Sequence, residues 1–511
     1  MKITTFAAIY IGSYEVSLSI FELCAKKPVR RVDHVRARIE LGKDAYQRGF
    51  IGYERMEELC NVLSEYKKIM EGYRTDAWEA YAGSAIRDAK NQLFILDQIR
   101  IRTGISIQVL SNSEHRFIGY KSVAFREEFD EMTRQGAAVV DAGGGSLQVT
   151  LFDQGKVITT QHMVLGTMRL REQMEIIGNS TAHCEDQLEE LVNKDLAVFR
   201  SLYLKDHRMK YVIFMGDYIT ELMKKVDKKK GSRIADTDKF VRTMRKMYRK
   251  NLEQISTELN LSNENDPLLV PYLVLYTRIA EELSAEQIWA PGVSVSDGIA
   301  YDYAQRNHII RPPHDFEEDI LSAARHLSER YDSFSPHIDA LTEMCGKIYT
   351  AMKKVHGMGD RELLLLKTAA ILHDCGKYVS LARGAECAYN IIMESEIMGL
   401  SHRERQIVAC TVYCNTYPLD EHEEISGQLD EEACRIVAKL SAILRISNAM
   451  DRSHRQKFKN IKVTVRDREL FLTIETLDEA VLEKGLFAAK AEYFERVFGI
   501  RPVIREKRVN R

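Results

Sequence analysis

The chain has 511 residues, 45% of them hydrophobic, and a net charge of −2. That length implies roughly three or four domains, and no apolar run approaches the roughly 20 residues of a membrane span. Nine scattered cysteines without a Cys-x-x-Cys pair argue against a disulfide framework and for reduced thiols in the cytoplasm.

Apolar residues at the N-terminus alternate as in a strand and follow no basic stretch, so no signal peptide is expected. Over residues 1–130 the pattern predicts strands near 4–11, 15–23 and 30–39 and a helix over about 52–72. A strand near 77–82, a helix near 85–102, a strand near 106–110 and a helix near 113–128 follow. Gly12-Ser13 breaks the first apolar run, Phe6 to Ile11, before Val16, Leu18, Ile20 and Phe21 continue it as a second strand.

Residues 131–310 repeat the theme, with strands near 137–141, 146–153, 156–163 and 211–215 and helices near 167–176 and 183–203. The first two strands flank Asp141-Ala142-Gly143-Gly144-Gly145-Ser146. Glycine tolerates φ > 0 and has no Cβ, so such a turn can press backbone N–H groups against an anion. A hairpin turn usually needs only one or two glycines. Asp141 at the strand end suits a divalent cation carrying phosphate oxygens, directly or through water. Two glycine turns, one opening each half, suggest duplicated domains that clasp phosphate between them.

From Lys224 to Lys250 twelve positions are Lys or Arg against three Asp. Arg242, Arg245, Lys246 and Arg249 recur at helical steps and mostly share one face. A solvated face is one explanation; a polyanion partner is the other, with polyphosphate favoured over nucleic acid because no aromatic residues interleave the charges. Arg311-Pro312-Pro313 reads as a linker. Residues 311–455 read as amphipathic helices, and 456–511 as a small β-β-α-β appendage.

These motifs resemble the exopolyphosphatase and guanosine pentaphosphate phosphohydrolase family, within the acetate kinase/sugar kinase/Hsp70/actin superfamily. The resemblance rests on Ala7-Ala8-Ile9-Tyr10-Ile11-Gly12-Ser13, Ala82-Gly83-Ser84-Ala85-Ile86-Arg87-Asp88-Ala89 and Val109-Leu110-Ser111-Asn112-Ser113-Glu114. It continues through Val140-Asp141-Ala142-Gly143-Gly144-Gly145-Ser146, Leu165-Gly166-Thr167-Met168-Arg169-Leu170, Leu372-His373-Asp374 and Ile443-Leu444-Arg445. It implies an α/β fold of duplicated actin-like (ribonuclease H-like) domains, an all-α HD-like domain and a small α+β appendage. It also implies release of terminal phosphate from inorganic polyphosphate with Mg²⁺ or another divalent cation. The alternatives are guanosine pentaphosphate as substrate, or a catalytically weak regulator that binds polyphosphate or a nucleotide. A homodimer is expected as the assembly, with no membrane or nucleic-acid partner.

On that resemblance Gly12, Ser13, Arg87, Gly143, Gly144, Gly145 and Ser146 would bind phosphate, and Asp141 the metal. The general base would be Glu114 or His115, with Gln148 beside them. The departures are as informative as the matches. Tyr10 stands where the family has an Asp, and Gln148 where it has a carboxylate; only one Glu, Glu114, remains before His115. Gly216-Asp217-Tyr218 replaces a Gly-Gly-Thr phosphate turn. These changes point to weakened or altered hydrolysis. In the helical region His337, His373 and Asp374 match the HD metal signature, but Cys387, Cys414 and Asn448 fall where further ligands are expected, with Asp451 close by.

Overall fold

Strand β1 (Ile3–Ile11) is apolar on both faces, and the fold uses both. Ala7, Ile9 and Ile11 pack with Leu59, Leu63 and Ile95, whereas Phe6 and Ala8 pack with Ile118, Ile299 and Ala304. A strand covered by helices on each side reads as a near-continuous hydrophobic run rather than an alternation. The computed structural model describes residues 3–507 apart from 26, 178–183, 206, 227–232, 251, 260–266, 418–428 and 477–478.

Residues Met1–Asp315 form one compact unit and Phe316–Arg511 another. The first holds two sheets of matching topology. With β2 (Glu15–Cys24), β3 (Arg30–Arg38), β4 (Ala77–Ala82) and β5 (Gln108–Val109), β1 forms a sheet ordered β3-β2-β1-β4-β5. The second comprises β6 (Ala137–Ala142), β7 (Leu147–Asp153), β8 (Lys156–Met163), β9 (Tyr211–Met215), β10 (Ile234–Asp236) and β11 (Gln287–Trp289). Its order, β10-β11-β9-β6-β7-β8, repeats the first in mirror listing with one added edge strand. In each, an antiparallel hairpin (β1–β2, β6–β7) is joined by a parallel neighbour (β4, β9), so the two glycine turns occupy equivalent places.

The helix Val295–Arg306, late in the unit, packs on the first sheet beside the helix Asn112–Ala124. The approach is so close that a Cβ on Gly298 would overlap the Ile118 carbonyl. The segment near 85–102 is two helices, Ser84–Arg87 and Gln92–Thr103. Asn91 interrupts them by bonding both backbone groups of Ile51, at 3.1 and 2.9 Å. The segment near 113–128 likewise ends at Ala124, and the segment near 183–203 passes from an α-helix into a π turn at Arg200–Leu204. The helix Leu41–Arg48 and the short strands β10 and β11 were not foreseen.

The described residues of the second unit form helices between Phe316 and Tyr413 and over Glu431–Met450, followed by β12 (Lys459–Arg466), β13 (Glu469–Glu475), the helix Val481–Phe498 and β14 (Arg501–Lys507). The expected β-β-α-β order is present, with β13 central and β14 parallel to it. No described helix is long and apolar enough to cross a membrane.

Candidate active site

The turns after β1 and β6 face one cavity of about 180 Å³. Gly12 and Ser13 line it from one lobe and Gly143, Gly144, Gly145 and Ser146 from the other, with Arg87, His115, Asp141 and Gln148 between. Ser294 to Ser296, at the N-terminus of the helix Val295–Arg306, also line it and were not singled out from sequence.

The glycine turn is held from behind. The amides of Thr167 and Met168, opening the helix Thr167–Ile177, donate to the carbonyls of Gly143 and Gly144 at 3.1 and 2.9 Å. Arg169 Nε donates to the Gly145 carbonyl at 2.9 Å. Those carbonyls are engaged, and the Gly143 amide closes the turn by donating to the Ser146 carbonyl at 2.9 Å, which leaves the amides of Gly144, Gly145 and Ser146 as the groups able to meet an anion. Ser13 is fixed by Tyr46 and Ser84, whose hydroxyls lie 2.6 and 3.1 Å from its Oγ. Arg169 stacks over the Tyr46 ring at 4.0 Å and so ties this cluster to the glycine turn. Tyr46 escaped notice because its helix did. Arg87 is steadied by Asp88 (Nε to Oδ1, 3.2 Å) and by the Leu110 carbonyl (Nη1, 3.2 Å), with its side chain still lining the cavity.

Tyr10 does not leave a void where a carboxylate would stand. Its hydroxyl lies 2.8 Å from His115 Nε2, and His115 Nδ1 lies 3.8 Å from Asp141 Oδ2. Burial, then the Asp141 charge, raises the Tyr10 phenol, so it keeps its proton. Burial pushes His115 down to about 3, with Arg87, Arg116 and His162 adding to the effect. Neutral His115 therefore accepts from Tyr10 at Nε2 and turns its Nδ1–H toward Asp141. Burial raises Asp141 to about 6. Gln148 pairs in register with Asp141 across the β6–β7 hairpin, and its Oε1 is buried without a hydrogen-bond partner. One half-buried carboxylate and one orphaned carbonyl oxygen form a donor set that suits a hard divalent cation.

Glu114 is not in this set. It sits in the first turn of Asn112–Ala124, where it accepts from the Ser111 amide at 2.9 Å, and Ser111 Oγ accepts from its amide. This capping box engages one oxygen of its carboxylate, and Glu114 does not line the cavity, whereas His115 does. The Asp217 side chain lies outside the described residues, although Gly216 and Tyr218 line the cavity. None of Arg242, Arg245, Lys246 and Arg249 lines it. Arg245 forms two bonds to Glu281, at 2.9 and 3.1 Å, while Arg242, Lys246 and Arg249 are exposed. Lys228 to Lys230, in the same basic stretch, lie outside the described residues.

In the second unit His337, His373 and Asp374 do converge, and His454 joins them. Donor atoms of His337, Asp374 and His454 lie within 4.8 Å of one another. His337 Nδ1 faces Asp451 Oδ2 at 2.7 Å, and His373 Nδ1 faces the Ala370 carbonyl at 2.8 Å. A carboxylate and a carbonyl can only accept, so both imidazoles carry their proton on Nδ1. Their Nε2 atoms then meet lone pair to lone pair at 3.2 Å, with Asp374 Oδ1 3.2 Å from that of His373. A cation or a shared proton must lie between them. Cys414 is buried and Cys387 partly so. The stacking of His454 on His337, 3.8 Å between centroids, had no signature in the sequence.

Residues 20–307 match the Ppx/GppA phosphatase family, and residues 322–490 match its domain III. The bifunctional 3-dehydroquinate synthase/phosphatase of Fusobacterium nucleatum is 27% identical over 136 residues, 26% of this chain and 20% of that protein. Exopolyphosphatase 1 of Mycobacterium tuberculosis is 24% identical over 140 residues, 27% of this chain and 40% of that one. This chain thus matches less than half the length of either relative. The crystal structure of an exopolyphosphatase-like protein aligns with 60% of this chain and 100% of its own, at TM-score 0.52 and 18% identity. An Aquifex aeolicus Ppx/GppA family member aligns with 61% and 100%, at TM-score 0.50 and 19% identity. These likenesses show the duplicated actin-like α/β fold, and with the two family matches spanning most of the sequence they establish that the chain belongs to the Ppx/GppA phosphatase family.

Proposed function

We propose that the cleft of the first unit binds the end of an inorganic polyphosphate chain and releases its terminal phosphate slowly, with Mg²⁺ or a similar cation held by Asp141 and Gln148. The observation that carries this reading is the paired glycine turns, with Arg87 and the half-buried Asp141 carboxylate between them. When bound, the cation spreads the charge of the phosphoryl oxygens. The amides of Gly144 to Ser146 and the Ser13 hydroxyl orient the terminal phosphate, and Arg87 grips it in a fork. Water activation is the weak step. His115 is a poor base when buried, and Tyr10 already occupies its Nε2. The cavity's volume, about 180 Å³, favours a bare phosphate end over the whole of guanosine pentaphosphate.

Phosphate release from polyphosphate and from guanosine pentaphosphate, with and without Mg²⁺, tests the reading. We expect slow, Mg²⁺-dependent release from polyphosphate, reduced by about 100-fold or more in Asp141→Asn. Equal turnover by Asp141→Asn and the parent would remove Asp141 from the site. A second reading, a regulator that binds polyphosphate without hydrolysing it, is favoured by the engagement of Glu114 in its helix cap. Tight binding with no phosphate release at any metal concentration would establish it.

The facing Nε2 atoms of His337 and His373 support a separate cation in the second unit. Mn²⁺ or Zn²⁺ should raise the melting temperature of the full chain, and His337→Gln should abolish that rise. An unchanged melting temperature with either metal would leave a shared proton as the bridge.

A further inference from the structure

Away from the cleft, the second unit contains a cavity of about 520 Å³ with a one-sided charge. Lys377, Arg445, Arg452 and Lys490 line it against a single carboxylate, Asp374, which already pairs with Lys377 at 2.6 Å. Arg452 and Lys490 form no ion pair among the described residues. Burial, followed by the guanidiniums of Arg445 and Arg452, lowers the Lys490 ammonium below its ordinary pKa. Arg445 is only 6% exposed and is held in place by the Tyr493 ring, 4.6 Å away. Arg445 is buried and Lys490 half-buried, while Lys377 and Arg452 are exposed at the rim; cations converging on one pocket repel one another and focus a positive field into it. An anion with more than one charge relieves that repulsion; a single carboxylate would leave most of it.

The rest of the wall is of another character. Leu381 and Leu486 border the cavity and are largely exposed, at 88% and 43%. Thr416 and Asn448 add polar groups between the charged and apolar sides. The volume lies within the range of about 300–1,000 Å³ that holds small ligands. We propose that this cavity binds an oligophosphate attached to an apolar or aromatic group, the class to which nucleoside di- and triphosphates belong. The phosphates meet Arg445, Arg452 and Lys490, and the attached group covers Leu381 and Leu486. Arg445 belongs to the helix Glu431–Met450 and Lys490 to the helix Val481–Phe498, so the ligand ties the C-terminal helix to the helical core.

Hydrogen exchange on the full chain, with ATP, GTP or inorganic triphosphate added, locates binding directly. We expect either nucleotide to slow exchange over residues 441–452 and 482–490. The double variant Lys490→Glu, Arg452→Glu should lose that protection and at least tenfold in affinity by calorimetry. Lys490→Arg should keep both, and so should Arg87→Ala, whose change is confined to the other unit. Circular dichroism matching the parent shows that the double variant is folded. Equal protection by inorganic triphosphate would retain the anion site and overturn the assignment of an attached group. No protection of either segment by any of the three would overturn the proposal.

Discussion

Tyr10 shows how a single side chain can redirect a site. A carboxylate there would draw a cation; the phenol instead sits 2.8 Å from Nε2 of His115, which burial and the nearby Arg87 and Arg116 keep neutral. Its room is provided by Gly83, where a Cβ would come within 2.5 Å of the Tyr10 hydroxyl. Position 83 therefore tolerates alanine only if position 10 shrinks first. Gly12, Ser13, Arg87, Asp141 and the three glycines could be placed from sequence because turn chemistry is local. Glu114 falls outside the cavity lining, and its sequence context could not say so, because a helix cap and a catalytic role ask for the same residue type in the same place. Glu172 carries a testable pH signature. It is 8% exposed, one of its carboxylate oxygens is buried without a partner, and burial raises it to about 7. The folded state then prefers the protonated form, so a penalty builds as pH rises from the unfolded value near 4.5 through about 7. Glu172→Gln should melt with the parent below pH 4.5 and above it in temperature beyond pH 7. A gain of equal size at both ends would place its cause elsewhere.

Elements were legible where periodicity was strong and obscure where tertiary contacts set them. The hairpins of both lobes read as apolar runs broken by glycine turns and the tail strand β12 alternates, and their edges fall within a few residues of expectation. The helix Leu41–Arg48 has no side-chain N-cap and follows Glu40 at φ 56°, so no start signal precedes it. Strand β11 is three residues long, too short for any period to show, and exists because β9 and β10 flank it. The basic helix Thr237–Tyr248 shows the opposite fault: composition overstated its free charge, since Arg245 is committed to Glu281. Helix packing sets a sharper limit at Gly298. Gly298→Ala forces the helices Val295–Arg306 and Asn112–Ala124 apart, and we expect a loss of about 1–3 kcal/mol in chemical unfolding. A neutral result would mean the two helices can slide without cost.

At the scale of the molecule, the first unit carries its own cores on both faces of its sheets, and the second buries Leu341, Ile348, Leu366, Leu440 and Ile443 in its own interior. Each has what a domain needs to fold alone. A chain stopped after Asp315 should melt cooperatively and bind polyphosphate as the full chain does, and one beginning at Phe316 should also melt cooperatively. Loss of cooperative melting in either piece would show that it depends on the other. The Arg311-Pro312-Pro313 signal fell close to this division, because a helix-stopping pair is readable without tertiary information. The return of a late helix onto the first sheet was not readable, since nothing local to residues 295–306 names its partner.

That returning helix bears on how the protein is made. The face of the first sheet bearing Phe6, Ala8, Phe21 and Leu23 receives Ile299, Ala300 and Ala304 from a segment made much later. At about 5–20 residues per second, a ribosome exposes this apolar face for on the order of ten seconds or more before its cover emerges. The nascent first lobe is therefore the stage at which a chaperone has most to shield, and a pause in translation ahead of residue 295 would lengthen the exposure most.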